Sequence, residues 1–188
     1  MKTKLLIPLF VVLVCSCNAQ NPVFLNYSIP LQSLIDSFKI GKDKIEIHID
    51  KSDYKLSISA NSIIIKEYPV VFGANPVGDK LRQGDNCTPE GVFRIKSKYP
   101  HAKWSKFIWI DYPSSESWQK HEQAKREGKI PANAQIGGEV GIHGVPYNAD
   151  YAIEHKMNWT KGCISLKNKD VDEIYNFVSN QTLVTIQQ

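Results

Sequence analysis

The chain has 188 residues, 42% of them hydrophobic and 22% charged, enough to bury the core of one domain. Its formal net charge of +4 includes Lys2 and Lys4 of the N-terminal segment. With no long Lys/Arg run elsewhere, nucleic-acid binding has little support, and the sequence shows no repeat, low-complexity tract or transmembrane span.

Residues 1–17 read as an export signal. Lys2 and Lys4 form a positive n-region, and Leu5 to Val14 form an apolar run too short to span a membrane. Val14-Cys15-Ser16-Cys17 resembles the lipobox of bacterial lipoproteins, cleaved before Cys17 with lipidation of that cysteine. Cys17-Asn18-Ala19 equally permits an ordinary signal-peptidase site ending at Ala19. Either way the sequence predicts an exported, periplasmic protein, and the lipobox would anchor it to an envelope membrane.

Residues 18–43 read as a tether with one short helix. Leu31, Leu34, Ile35 and Phe38 recur at helical spacing, with Pro30 before them and Gly41 after. From residue 44 the period changes to two. Ile45, Ile47 and Ile49 alternate with Glu46, His48 and Asp50, and Tyr54, Leu56 and Ile58 alternate with Lys55 and Ser57. A third strand over Ser62 to Phe72 carries Pro69, which predicts an edge or a bulge. Residues 73–91 form a long polar loop closed by Thr88-Pro89-Glu90-Gly91, and loops of this size in a compact domain are usually functional.

Two more strands follow at Val92 to Ile95 and Phe107 to Ile110. Ser115 to Gly128 is a solvent-facing helix that reads as a lid or an insertion. Strands at Glu139 to His143 and Cys163 to Leu166 flank an irregular loop. Asn168 or Asp170 caps a helix bearing Val171, Ile174, Tyr175 and Val178, and Leu183 to Ile186 forms the last strand. The fold class is therefore mostly β with short helices.

The chemistry concentrates between Gly141 and Leu166. His143 lies between Ile142 and Gly144, and Cys163 follows Thr160-Lys161-Gly162. A thiol of pKa about 8.5 is only slightly ionised at neutral pH and needs a base. If the flanking strands are neighbours, His143 can serve Cys163, as a thiolate–imidazolium pair suited to acyl transfer. The N–H groups of Gly162 and Cys163 are candidates for an oxyanion hole. No His/Cys spacing suits zinc. His155 reads as loop decoration rather than a second base, and His48, His101 and His121 receive no role. Tyr147, Tyr151 and Trp159 are candidate groove walls; Lys80 and Arg82 read as surface charge, with binding of a substrate's carboxylates as the alternative. Outside the signal, the cysteines are Cys87 and Cys163. An oxidising compartment would favour their disulfide, but pairing would silence Cys163, so a free Cys87 is the preferred reading.

These residues resemble the YkuD-type L,D-transpeptidase catalytic domain, whose signature is His-Gly, a gap of some fifteen residues, then Ser/Thr-x-Gly-Cys. Here it reads His143-Gly144 and Thr160-Lys161-Gly162-Cys163. Tyr68 to Gly73, Thr88 to Ile95 and Trp159 to Leu166 carry supporting matches, so the likeness spans residues 44–188. The resemblance implies a mostly β, sandwich- or barrel-like core with a helix near the C-terminus. It implies an enzyme without metal or organic cofactor that attacks murein tetrapeptide stems, releases D-alanine and forms a cysteinyl thioester. An amine acceptor (a second stem, a D-amino acid or a protein) then resolves it. Carried over by residue, Cys163 is the nucleophile and His143 the base, with Gly162, Thr160, Lys161, Gly144 and Ser165 around the oxyanion and substrate.

Two positions depart from the family pattern. Lys161 stands where many members have histidine, and a cation there is expected to assist thiolate formation or meet a carboxylate. Ser165 stands where relatives often have Arg or Asn. A same-fold hydrolase trimming stems or releasing wall-linked protein, and a silent murein-binding lipoprotein, are the alternatives.

Overall fold

The computed structural model describes residues 23–188, so the segment expected to be an export signal, with Cys15 and Cys17, lies outside the described residues. Among the described residues no helix is long and apolar enough to cross a membrane.

Eight strands form one sheet that curls into a half-barrel: β1 (Ile45–Asp50), β2 (Lys55–Ala60), β3 (Ile63–Pro69), β4 (Gly91–His101), β5 (Ser105–Ile110), β6 (Gly141–His143), β7 (Ile164–Ser165) and β8 (Leu183–Gln187). Their order is β3-β2-β1-β8-β4-β5-β6-β7. Pairing is antiparallel except for β1 with β8 and β6 with β7. Among the described residues four α-helices complete the fold: α1 (Leu31–Phe38), α2 (Ser115–Arg126), α3 (Tyr151–Glu154) and α4 (Asn168–Tyr175). The expected mostly β architecture is present.

The period-two reading of β1 holds because Ile45, Ile47 and Ile49 point into the core, joined there by Leu56, Ile58, Phe93, Ile108, Ile142, Ile164 and Val184. The helix α4 closes this core with Val171 and Ile174, and α1 adds Leu31 and Ile35. Phe38, assigned by spacing to the α1 stripe, is instead 61% exposed, because the helix ends at a left-handed Lys39 before reaching the core. Pro69 ends the edge strand β3, as its missing N–H requires.

Two strand readings change. The strand read at Val92 to Ile95 continues to His101. Its first part pairs with β8 and its second with β5, with a register shift between Ile95 and Ser97. This bent strand joins the two halves of the sheet. The third strand ends at Pro69, and the chain beyond it bridges Val71 to Ser165 and Gly73 to Thr160. Neither Asn168 nor Asp170 caps α4. Lys167 holds that place without a side-chain cap, and the buried Asp170 accepts instead from Tyr27 Oη at 2.8 Å.

The helix α2, capped by Ser114 Oγ accepting from Ser117 N, is less solvent-facing than its composition suggests. It pins the long loop. Lys120 reaches Asp79 at 2.8 Å, and the buried His121 bonds the Leu81 carbonyl through Nδ1 at 2.6 Å.

Candidate active site

His143 ends β6 and pairs in parallel register with Ser165 of β7, while Leu166 N donates to the His143 carbonyl at 2.9 Å. Side chains alternate along a strand, so Cys163, two residues before Ser165, falls on the His143 face. Both residues line one open cleft of about 960 Å³, together with Lys80, Gln83, Gly84, Asn86, Trp104, Glu139, Trp159, Thr160 and Lys161. Two strands so short hold this register because both are flanked. β5 pairs with β6 on one side, and Val71 exchanges two backbone hydrogen bonds with Ser165 on the other.

The imidazole is almost wholly buried, 1% exposed, inside an aromatic clamp. Trp104 stacks on it at a centroid distance of 4.3 Å, Phe107 lies nearly parallel at 5.8 Å, and Trp159 approaches edge-on at 5.6 Å. Nδ1 lies 2.6 Å from the Gly144 carbonyl and must donate to it, which leaves the Nε2 lone pair free to accept a proton. Burial drives the His143 pKa down to about 4, with a further push from the charge of His101 and opposition from the Gly144 carbonyl.

The thiol of Cys163 donates to the Glu139 carbonyl at 3.6 Å rather than to the imidazole. Burial pushes its pKa up to about 11, with Glu139 adding to the rise and the Gly141 backbone and Lys80 opposing it. Burial thus pushes both groups towards their neutral forms, against the expected thiolate–imidazolium pair. The physical reason is desolvation, which penalises both ions before they can stabilise each other.

The turn before Cys163 is closed by Thr160. Its buried Oγ1 accepts from Gly162 N at 3.1 Å and donates to the Cys163 carbonyl at 2.7 Å. The Gly162 N–H is thereby taken up by Thr160. Gly162 itself is required by its φ of +139°, and a Cβ there would meet the Cys87 carbonyl at 2.7 Å.

Gly144 and Ser165 do not line the cleft. Ser165 is fully buried, and its Oγ donates to the Gly144 carbonyl that also holds His143. The two residues thus meet at the carbonyl that holds the imidazole. Gly144 is packed so tightly that a Cβ would fall 2.0 Å from Asn168 Oδ1.

Lys161 lines the cleft and is exposed. Lys80, which reads from sequence as surface charge, is buried at the cleft, where its charge lowers the thiol pKa. Lys80 is 5% exposed, its Nζ lies 3.5 Å from where a Gly162 Cβ would be, and it pairs with Asp85 at 2.7 Å. Asp85 also accepts from the N–H groups of Leu81, Arg82 and Cys87, so one carboxylate organises the cleft wall. The long loop is thus part of the site. Cys87 and Cys163 are both free. Cys87 is buried with its sulfur accepting from Asn75 Nδ2 at 3.2 Å.

Of the proposed groove walls only Trp159 lines the cleft. Tyr147 is 88% exposed, and His155 belongs to a separate groove beside Tyr54 and Lys156. Among the described residues no three His, Cys, Asp or Glu side chains converge as a metal site. Trp104, Phe107 and Glu139 were missed. Only Glu139 carried a signal, a charged residue behind two glycines in a turn.

A family model described as the YkuD L,D-transpeptidase catalytic domain matches residues 44–186. The solved structures it resembles include the helical cell shape determining protein Pgp2 of Campylobacter jejuni, at 22% identity and a TM-score of 0.57, covering 77% of this chain and 47% of that one. Bd1075 of Bdellovibrio bacteriovorus matches at 21% identity and 0.52, over 77% and 48%. L,D-transpeptidase 3 of Mycobacterium tuberculosis, in complex with a faropenem-derived adduct, matches at 15% identity and 0.51, over 77% and 60%. This chain thus spans about half the length of the first two. No curated protein matches it.

Proposed function

The chain belongs to the YkuD family of L,D-transpeptidase catalytic domains, and from that membership we propose that it is an exported cysteine acyltransferase acting on the peptide stems of peptidoglycan. The observation that carries the reading is the parallel pairing of β6 and β7, which places His143 and Cys163 on one cleft wall.

Burial favours the neutral form of both groups, so proton transfer accompanies attack in this reading. As Sγ bonds to the carbonyl carbon before the terminal D-alanine, its proton passes to Nε2 of His143. The oxyanion forms against the Cys163 N–H. The imidazolium then protonates the departing D-alanine amine as the C–N bond breaks, which leaves a thioester and a neutral imidazole. An amine resolves the thioester in a transferase; water resolves it in a hydrolase of the same fold. The lipobox further suggests attachment to the envelope through a lipid on Cys17.

The test is incubation of the purified protein with murein tetrapeptide muropeptides, followed by mass spectrometry. Cross-linked dimer is the expected product, and it must disappear in Cys163→Ala. Tripeptide alone would replace the transferase with the hydrolase. Unchanged substrate with both proteins would leave a murein-binding lipoprotein.

A further inference from the structure

The cleft contains one carboxylate, that of Glu139, beside the nucleophile. Its backbone is unusual: Glu139 has φ of +56°, a left-handed conformation that L residues with long side chains rarely adopt. The chain supplies glycine immediately before it, at Gly137 and Gly138, yet places a glutamate at the strained position. The carbonyl of the same residue receives the Cys163 thiol at 3.6 Å. The residue is exposed and lines the cleft.

This carboxylate is unhelpful to the first half of the reaction. A negative charge next to the thiol raises its pKa and opposes formation of the nucleophile. The two cations of the cleft do not remove that charge by design: Lys80 is tied to Asp85, and Lys161 is exposed. A charge that hinders the attack of sulfur gains a use only when the sulfur is already acylated and the incoming partner is a cation.

We propose that Glu139 is the acceptor-binding residue, which holds the protonated primary amine of the second substrate beside the thioester. The inference rests on the acyltransferase reading and decides between amine and water as the resolving nucleophile. The docked ammonium releases one proton to solvent, and the free amine attacks the thioester carbonyl. The C–N bond forms and the C–S bond breaks. The second amine proton passes to His143 Nε2 and from there to the departing sulfur, so an amide and a neutral thiol result. The Glu139 carboxylate accepts a hydrogen bond from the amine throughout and exchanges no proton.

The experiment measures how the acyl-enzyme partitions, a ratio independent of how fast it forms. Wild type and Glu139→Gln are acylated with a murein tetrapeptide donor, and the thioester is verified by intact mass after acid quench. They are then offered D-methionine, a zwitterion whose amine is protonated before attack, or hydroxylamine, which is uncharged at neutral pH. The expected result is a fall of about tenfold in the amide-to-hydrolysis ratio for D-methionine in Glu139→Gln, with the hydroxamate-to-hydrolysis ratio unchanged. Glu139→Asp, which keeps the charge, should recover part of the loss. An unchanged D-methionine ratio, or equal losses for both nucleophiles, overturns the assignment. A wild-type thioester resolved by water alone overturns it too, while leaving Cys163 as nucleophile. No wild-type thioester at all removes the acyltransferase reading and this proposal together.

Discussion

The indole of Trp104 lies face to face with the imidazole of His143, centroids 4.3 Å apart and rings inclined by 24°. His101 stacks on Trp104 in turn, at 4.3 Å. Trp104 sits in the turn joining β4 to β5, and its carbonyl accepts from Gly144 N at 3.0 Å. One residue therefore fixes both the ring and the backbone of the base. It also excludes the water that would otherwise solvate an imidazolium.

Replacing Trp104 with Ala should free and hydrate the ring. The His143 pKa should rise from about 4 towards the ordinary 6.5, read by NMR titration. Loss of ring orientation should cut the acylation rate by roughly 10- to 100-fold. Trp104→Phe, which keeps a flat face, should retain most of both properties. An unmoved pKa in Trp104→Ala would show that other walls keep the ring dry.

A neutral resting pair has a distinct pH signature. The alkylation rate of Cys163 by iodoacetamide in the free protein should climb steadily as pH rises towards the thiol pKa of about 11. A preformed ion pair would instead give a plateau extending well below neutrality. The acid limb of kcat/KM should fall near the depressed imidazole pKa of about 4 and not near 6.5.

Two buried groups act on stability in opposite directions over the same acidic range. The pKa of His143 is depressed from 6.5 to about 4, so the unfolded chain binds the proton first and stability is lost as pH falls between those values. The pKa of Asp170 is raised from 3.8 to about 6 by burial, so the native state binds the proton first and stability is gained as pH falls through that window. Each contribution is roughly 3 kcal/mol at most, so the two largely offset. Asp170→Asn keeps an acceptor for Tyr27 and should be about 2 kcal/mol more stable than wild type at neutral pH, then lose that advantage on acidification. His143→Gln should show the reverse slope. Thermal melts at matched pH values between 4 and 7 would measure both.

The cation that matters to the thiol should be Lys80 and not Lys161. Lys80→Met strands Asp85, whose carboxylate is largely buried, and should cost about 3 kcal/mol. It should also raise the thiol pKa. Lys161→Met removes an exposed charge and should change stability by less than about 0.5 kcal/mol and leave the thiol pKa unmoved. A thiol titration of both variants separates the two lysines, and a rise in Lys161→Met would restore the role expected from sequence.

What the sequence determined by itself was whatever depends on local periodicity or on residues that carry their own chemistry. Ile45, Ile47 and Ile49 announce a strand because side chains alternate, and Leu31 to Ile35 announce a helix face. His143-Gly144 and Thr160 to Cys163 announce a thiol and a base because few other uses exist for that pattern. The loop at residues 73–91 was legible as functional from its length, but not which of its residues enter the cleft.

The tertiary structure alone decided the rest, since it turned on burial and on contacts between distant segments. Lysine is by default a surface residue, so nothing local marks Lys80 as buried beneath Gly162. The polar, exposed residues from Lys96 to Pro100 hid the second part of β4, which exists because β5 pairs with it. That pairing carries Trp104 to His143, and β6 carries His143 to Cys163. Whether a thiol and an imidazole ionise together depends on how much water remains around them, and only the packed fold removes that water.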